Sequence, residues 1–123
     1  MLSTTAPPVP SPAAARDDAG AKDLEAAAEL LRALASPHRL AIVQELRGGA
    51  RCVHELVEAL GVSQPLVSQH LRVLRSIHIV HPQRRGREIV YSLGDDHVAH
   101  IVHDAVVHAT ERGATTGAPK GGR

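Results

Sequence analysis

The chain has almost no aromatic residues and only one cysteine. Tyr91 is the single aromatic side chain among 123 residues, so aliphatic side chains must form any core. Cys52 cannot form an intrachain disulfide, and a lone thiol fits a reducing compartment. No apolar run approaches the roughly 18 residues of a membrane span, and the N-terminal segment lacks the basic and apolar stretches of a secretory signal. These absences predict a cytoplasmic protein with no membrane partner.

Motifs that carry catalysis are also missing. The sequence shows no nucleophile–base pairing and no glycine-rich phosphate loop, so we expect no enzyme. The net charge of +1 argues neither for nor against nucleic-acid binding. Histidine, by contrast, is abundant: the nine histidines are an excess typical of metal or proton sensing.

Composition divides the chain into three parts. Residues 1–20 are rich in Pro, Ala, Ser and Thr, and residues 113–123 are rich in Gly, which predicts two disordered tails. Residues 21–112 form the predicted domain. Apolar spacing and turn residues predict five helices and one β-hairpin, at about 22–34, 37–46, 52–60, 64–76, a hairpin over 78–93, and 96–111. The predicted fold class is therefore mainly α with a small β-hairpin, in the order ααααββα.

The third and fourth predicted helices are joined by Gly61-Val62-Ser63, which predicts a helix-turn-helix. The second helix of such a unit can enter the major groove, where Gln, Ser and Arg side chains bond bases or phosphates. The polar residues that we expect to face DNA here are Ser63, Gln64, Ser68, Gln69 and Arg72. An ordinary helical hairpin with a polar outer face would have the same pattern.

The predicted hairpin has a basic tip. Arg84, Arg85 and Arg87 lie within four residues at a turn. Such a tip can contact phosphates or reach into a minor groove, although a charge run at a turn can also be merely solvated. Because the tip directly follows the helix-turn-helix candidate, the order is that of a winged helix-turn-helix, which favours binding of double-stranded DNA.

Four potential zinc ligands, Asp95, His97, His108 and Glu111, lie in or next to the last predicted helix. His97 and His108 are eleven positions apart, close to three full turns, so they share one face of the helix. A rise of about 1.5 Å per residue separates them by about 16 Å. Because zinc–ligand bonds are only about 2 Å long, two chains must supply the ligands of any shared ion.

An antiparallel pair of these helices meets that requirement. Along the helix, the midpoint between residues 95 and 111 nearly coincides with the midpoint between residues 97 and 108, near Val102 and His103. A single two-fold axis through this point therefore brings both residue pairs together between the two chains. The pattern thus predicts a homodimer with two zinc ions per dimer, each held by two nitrogens and two carboxylate oxygens. The competing interpretation is four solvent-facing polar residues, with Asp95 as a helix N-cap in either case.

Because the chain has other potential ligands, the sequence does not determine which metal binds. His100 and His103 could complete an octahedral site, which would suit nickel or cobalt. Cys52 and His54 are alternate residues of a predicted helix and so are not expected to face the same way, whereas Cys52 and Glu55 are. We favour a buried small thiol for Cys52.

The segment from Ser36 to Leu93, and GVSQPLVSQHLRVL within it, resembles the ArsR/SmtB family of winged-helix metal-sensing repressors. The spacing of Asp95-x-His97 and His108-x-x-Glu111 resembles the interhelical zinc site of SmtB-like members. The resemblance implies a homodimer that binds an imperfect inverted repeat in operator DNA and loses DNA affinity when zinc binds, which relieves repression. It also implies that Gln64, Ser68, Gln69 and Arg72 face the operator, with the three arginines on the wing.

The resemblance leaves two alternatives, a nickel- or cobalt-responsive repressor and a winged-helix regulator with a structural metal site. Some relatives bind metal through thiolates near the start of the third helix, with ligands from an N-terminal arm. This chain has no Cys or His before His38, so we expect that second site to be incomplete, and one cysteine argues against an arsenic sensor.

Overall fold

The structure, a computed structural model, describes the backbone of residues 12–121 and the side chains of residues 20–113. The chain divides into two compact units, Met1–Arg32 and Ala33–Arg123. The elements are α1 Pro12–Leu34, α2 Pro37–Arg47, β1 Arg51–Cys52, α3 Val53–Leu60, α4 Gln64–Ser76, β2 Val80–Arg85, β3 Glu88–Leu93 and α5 Asp96–Gly121. The five helices and the β-hairpin confirm the predicted fold class.

One strand was not predicted. The two-residue strand β1 pairs antiparallel with β3, giving a three-stranded sheet in the order β1-β3-β2. Arg51 lies opposite Tyr91, and Cys52 lies opposite Val90. Two residues are too few to show the alternation that identifies a strand in sequence. As a result α3 begins at Val53, and Cys52 is an extended residue that precedes the helix.

The two terminal helices are longer than predicted. α1 begins at Pro12 rather than near residue 22, and α5 continues to Gly121 rather than ending near residue 111. The backbone is therefore helical over 12–20 and 113–121, where we expected unstructured tails. Alanine favours the helical conformation in the first of these stretches. Residues 1–11 and 122–123 lie outside the described residues, and the division of the chain at residues 21 and 112 stays a prediction.

The core of the Ala33–Arg123 unit is aliphatic, as the scarcity of aromatic residues predicted. Helices α2 and α4 bury three residues each, α3 buries Leu56, β2 buries Val80, and α5 buries Ala99 and Val102. The largest fully buried side chains are Ile42, Val43, Leu56, Val67, Leu71, Leu74, Val80 and Val102. No polar or charged side chain among residues 20–113 is buried. Among the described helices, none combines the length and apolarity needed to cross a membrane.

Candidate functional site

The turn between α3 and α4 is held by local hydrogen bonds. Gly61 has a φ of +70°, a left-handed conformation that glycine adopts without steric cost, and its N–H donates to the Val57 carbonyl at 2.8 Å. The Ser63 hydroxyl accepts a hydrogen bond from the Leu66 N–H at 3.4 Å and so caps α4. Because Val67 and Leu71 are buried below, the opposite face of α4 is turned outward. This is a helix-turn-helix with an accessible second helix.

The predicted DNA-facing residues of α4 lie on that outer face. Gln64, Gln69 and Arg72 are exposed, and Ser68 is half-buried. Ser63 is exposed too, but its hydroxyl is used by the cap. A groove of about 240 Å³ runs beside α4, and its lining consists of Ser68, Leu71, Arg72, Arg75 and Tyr91.

Arg75 lies on the same polar face of α4 as Arg72, three positions further on, but we did not count it among the predicted DNA contacts. Tyr91 was not predicted to lie near this face. Tyr91 reaches the groove from β3, which the local pattern does not reveal.

The hairpin of β2 and β3 carries the predicted basic tip. Arg85 pairs with Glu88, which leaves Gly86 and Arg87 as a two-residue turn. Gly86 has a φ of +64°, as tight hairpin turns require at this position. The side chains of Arg84, Arg85 and Arg87 are all exposed. The tip can therefore offer three guanidinium groups to a polyanion.

At the start of α5 the structure brings two of the four predicted metal ligands together. The Asp95 Oδ1 accepts a hydrogen bond from the His97 N–H at 2.8 Å and lies 3.5 Å from the His97 Nδ1. Asp95 thus performs the N-cap role expected of it. The His97 side chain is 91% exposed, and its ring is free to turn toward a ligand from outside the chain.

The other two predicted ligands, His108 and Glu111, are exposed farther along the same helix. The helix between His97 and His108 is unbroken, which puts them about 16 Å apart along its axis. Within residues 20–113, the four groups do not form a cluster that one ion could bridge. The donor set of two imidazoles and two carboxylates suits zinc, but a single α5 cannot bring all four donors to one ion.

The face of α5 between these two pairs is incompletely covered. Ile101 is 43% exposed and lies within about 40° of His97 around the helix axis. Ala99 and Val102 are buried on the opposite side, toward the rest of the unit. The ligand face is therefore the face that remains open for a second helix, with an apolar residue between its two ligand pairs.

The two additional histidines of α5 have different surroundings. His100 is exposed and lies about 60° from His97 around the helix axis. His103 faces α2, where the Arg47 Nη1 donates to its Nδ1 at 2.9 Å. His100 therefore lies near the ligand face, whereas His103 is in contact with Arg47 of α2.

A second group of metal-ligand side chains lies where α3, β1 and β3 meet. The Cys52 Sγ is 3.2 Å from the His54 Nδ1, and the same Nδ1 is 3.8 Å from the Glu88 Oε2. Our expectation that Cys52 and His54 face different ways was wrong, because Cys52 is extended rather than helical. Its predicted burial is confirmed, since Cys52 is 5% exposed.

Glu55, which we had grouped with Cys52, has another role. Its Oε1 accepts a hydrogen bond from the Cys52 N–H at 2.9 Å, which caps α3. This hydrogen bond holds the pKa of the Glu55 carboxyl below its ordinary value. Sequence reasoning missed Glu88, because only the pairing of β1 with β3 brings it near Cys52.

A polar contact also joins α2 to α4. The Arg39 Nη1 donates to the His70 Nδ1 at 3.2 Å, and the His38 ring lies 5.3 Å from the His70 ring between centroids. Partial burial lowers the pKa of His70, and the positive charge of Arg39 lowers it further. Neutral His70 is therefore part of the folded arrangement.

Comparison with known proteins places these features in context. Residues 36–81 match the family model described as bacterial regulatory protein, arsR family. The chain is 62% identical over 88 residues to the HTH-type transcriptional repressor SmtB of Mycobacterium tuberculosis, a match that covers 72% of this chain and 65% of that protein. The chain thus spans slightly less than two thirds of this relative's length.

Two solved structures extend the comparison. A homodimeric winged helix-turn-helix DNA-binding domain of Mb0332 from Mycobacterium bovis matches with a TM-score of 0.69 and 30% identity, over 77% of this chain and 88% of that one. The cadmium metal-sensor CMTR of M. tuberculosis matches with a TM-score of 0.55 and 36% identity, over 63% and 80%. These proteins are named as regulators, repressors or sensors, which agrees with the expectation that the chain is not an enzyme.

Proposed function

The chain belongs to the arsR family of bacterial regulatory proteins, and from this premise we propose that it is a metal-responsive transcriptional repressor. In this proposal a homodimer binds double-stranded operator DNA in the cytoplasm, and metal binding lowers the DNA affinity. The observation that carries the proposal is the open face of α5, which has one pair of metal ligands at each end and Ile101 between them.

The proposed DNA interface consists of the outer face of α4 and the tip of the hairpin. Gln64, Gln69 and Arg72 are exposed for contact with base edges, and Ser68 lies beside them for phosphate contact. The Ser63 oxygen accepts the cap hydrogen bond, which leaves its O–H to donate to a phosphate. The tip of the hairpin would contact the phosphates of the DNA backbone through Arg84, Arg85 and Arg87. Support comes from their common exposure and from similarity to a DNA-binding winged helix-turn-helix domain.

The proposed metal sites lie between two antiparallel α5 helices. Asp95 and His97 of one protomer and His108 and Glu111 of the other would hold one zinc ion, so that symmetry gives two ions per dimer. The bound ion would supply a crosslink between the two helices. The residues themselves position the site: Asp95 caps α5 and orients His97, and Ile101 provides apolar contact between the two sites.

Helix α2 provides a route from the metal helix to the DNA-reading helix. Arg47, at the end of α2, donates to His103 of α5, and Arg39, near its start, donates to His70 of α4. A shift of α5 on metal binding would therefore act on α2 and through it on α4. Metal binding then weakens DNA binding, and DNA binding weakens metal binding by the same factor, because the coupling free energy between two sites has the same value in both directions.

The identity of the metal has two supported candidates. The four-ligand set of two nitrogens and two oxygens favours zinc. His100, exposed near the ligand face, would add a fifth ligand and third nitrogen, and would favour nickel or cobalt in a larger coordination sphere. Cobalt absorption spectra of wild type and His100→Ala distinguish the two cases. The substitution should change the spectrum of bound cobalt only if His100 is a ligand in an octahedral site.

The proposal is tested by titrating zinc into a preformed complex of the protein with fluorescently labelled inverted-repeat DNA from its promoter region. We expect the anisotropy to fall to that of free DNA at about two zinc ions per dimer. His97→Ala should bind the same DNA but retain it when zinc is added. A wild-type complex that stays intact at saturating zinc would contradict metal-induced release, and a His97→Ala complex that dissociates normally would exclude the α5 site as its cause.

A further inference from the structure

The groove beside α4 contains polar side chains that have no partner in the described part of the chain. It holds about 240 Å³, and its lining consists of Ser68, Leu71, Arg72, Arg75 and Tyr91. Within residues 20–113, the side chains of its four polar members make no hydrogen bond and no ion pair. Ser68 and Tyr91 are nevertheless half-buried, where hydroxyls normally find a partner. Four side-chain donors therefore line one cavity and lack an acceptor.

The chemistry of this lining favours an anion. Arg72 and Arg75 contribute two positive charges, and no acidic residue of the lining neutralises them. The hydroxyls of Ser68 and Tyr91 can donate hydrogen bonds into the same space. Guanidinium and hydroxyl donors are among the groups that contact DNA phosphates in proteins. The groove is therefore suited to a phosphate group.

Two elements bring these side chains together. Ser68, Arg72 and Arg75 follow one another at spacings of four and three, so they form a stripe about 10 Å long on α4. Tyr91 comes from β3, three residues after Glu88 at the hairpin turn, which puts it roughly 10 Å from that turn. The groove therefore lies between the helix proposed to read DNA and the strand that leads back from the basic tip.

The position of the groove indicates which part of a DNA duplex would occupy it. In duplex DNA, a sugar–phosphate backbone separates each major groove from the adjoining minor groove. A protein that inserts α4 into the major groove and directs the wing toward the neighbouring minor groove holds this backbone between the two elements. The cavity between α4 and β3 then lies beside the backbone.

We propose that Ser68, Arg75 and Tyr91 bind one phosphate of this backbone, with Arg72 at the edge of the site. Tyr91 is then a DNA-binding residue of the sheet, separate from α4 and from the arginines of the wing tip. The site rests on the proposed DNA-binding function and adds a contact to it. Inorganic phosphate offers the same oxygen atoms, so the test must separate it from the DNA backbone.

Two substitutions remove the proposed contacts without enlarging the groove greatly. Tyr91→Phe deletes one hydroxyl and keeps the ring, and Arg75→Gln deletes one charge at an exposed position. Each variant dimer loses two contacts to charged groups, so we expect its affinity for the inverted-repeat promoter DNA to fall at least about tenfold. Arg75→Gln should also lower the slope of log affinity against log salt concentration by about two, whereas Tyr91→Phe should leave it unchanged. Arg32→Gln, an exposed arginine of α1, is the matched control and should bind as wild type.

DNA with a neutral methylphosphonate at one position at a time identifies the phosphate that occupies the groove. At that position, the substitution should weaken binding of wild type and have little further effect on Tyr91→Phe or Arg75→Gln. At other contacted positions, all three proteins should lose affinity by similar factors. If no position distinguishes the variants from wild type, the groove holds no phosphate.

The remaining outcomes separate this site from the proposed function. If both variants bind DNA and respond to salt as wild type does, the groove site is overturned and the DNA-binding proposal stands. A wild type that fails to bind its promoter DNA would contradict both.

Tyrosine fluorescence tests inorganic phosphate as the occupant, because Tyr91 is the only aromatic residue of the chain. We expect inorganic phosphate at concentrations comparable to that of the protein to leave the fluorescence unchanged. Saturable quenching in wild type that is lost in Arg75→Gln, combined with normal DNA binding by both variants, would assign the groove to a free anion and overturn the backbone contact.

Discussion

The Nη1 of Arg47 lies 2.9 Å from the Nδ1 of His103 and joins the end of α2 to the first half of α5. At the opposite end of α2, Arg39 makes the corresponding contact with His70 of α4. One helix therefore has a polar contact with the helix that carries the proposed zinc ligands and another with the helix proposed to read DNA.

Arg47→Gln should weaken communication between metal and DNA while preserving each binding event. A coupling of about 3 kcal/mol, the upper end of the usual range, corresponds to a DNA affinity more than a hundredfold lower in the zinc form. Loss of the α2–α5 contact should reduce this ratio to about tenfold or less. DNA affinities with and without zinc, measured by anisotropy, give the ratio directly. Arg32→Gln, an exposed arginine of α1, serves as control. An unchanged ratio in Arg47→Gln would show that this contact does not transmit the response.

Substitutions at two neighbouring residues of α5 should affect different properties, the stability of the protomer in one case and the formation of the dimer in the other. Val102 is 1% exposed, so Val102→Ala should lower the free energy of unfolding by about 2 kcal/mol through lost burial and a residual cavity. Ile101 is 43% exposed in the protomer and lies on the proposed ligand face, so Ile101→Ala should instead weaken the dimer. Chemical denaturation and sedimentation equilibrium measure the two effects. A dimer constant unchanged in Ile101→Ala would argue against α5 as the interface.

Stability should fall in mild acid because of His70. Its pKa is lower in the folded protein than the ordinary value of about 6.5, so the unfolded chain binds more protons. The free energy of unfolding is therefore fully retained above about pH 6.5 and decreases as the pH falls below it. His70→Gln keeps a hydrogen-bond acceptor for Arg39 but cannot titrate. Between about pH 7.5 and pH 5.5, we expect the melting temperature of the metal-free wild type to decrease more than that of His70→Gln.

His100→Gln is the matched control for that comparison, since His100 is an exposed histidine of α5. It should show the same pH dependence as wild type. If the melting temperatures of wild type and His70→Gln declined in parallel, the cost of protonating His70 in the folded state would be negligible.

The wing arginines should control the salt dependence of DNA binding. Each phosphate contact contributes about one unit to the slope of log affinity against log salt concentration. Arg87→Ala removes one exposed guanidinium from each protomer and should lower the magnitude of that slope by about two per dimer. The same substitution at Arg32 should leave the slope unchanged. Identical slopes for wild type and Arg87→Ala would mean that this arginine does not contact a phosphate.

Local patterns were sufficient to predict much of this molecule. The spacing of Val67, Leu71 and Leu74 identified the buried face of α4, and Gly61 marked the end of α3, because both effects depend on residues close in sequence. Asp95 was recognised as the cap of α5 for the same reason. The helical spacing of His97 and His108 also predicted that one chain keeps them apart, and the unbroken α5 agrees with this.

The features that were missed depend on contacts between distant segments. β1 exists because it pairs with β3, and this pairing alone brings Glu88 beside Cys52. The contact of Arg47 with His103 spans 56 positions and has no local signature. Alternation within a helix was the wrong rule for Cys52 and His54, since strand pairing makes Cys52 extended and the helix begins only after it.

Mixed dimers test most directly the central claim that each α5 metal site is shared by two protomers. His97→Ala and His108→Ala homodimers each lack one ligand at both sites and should bind zinc weakly. After subunit exchange, about half of the dimers contain one chain of each kind. In these, the intact His97 of one chain meets the intact His108 of the other, so one complete site should reappear per mixed dimer. A zinc titration with a chromogenic chelator should therefore regain tight binding on mixing, whereas binding that stays as weak as in the separate variants would contradict the shared site.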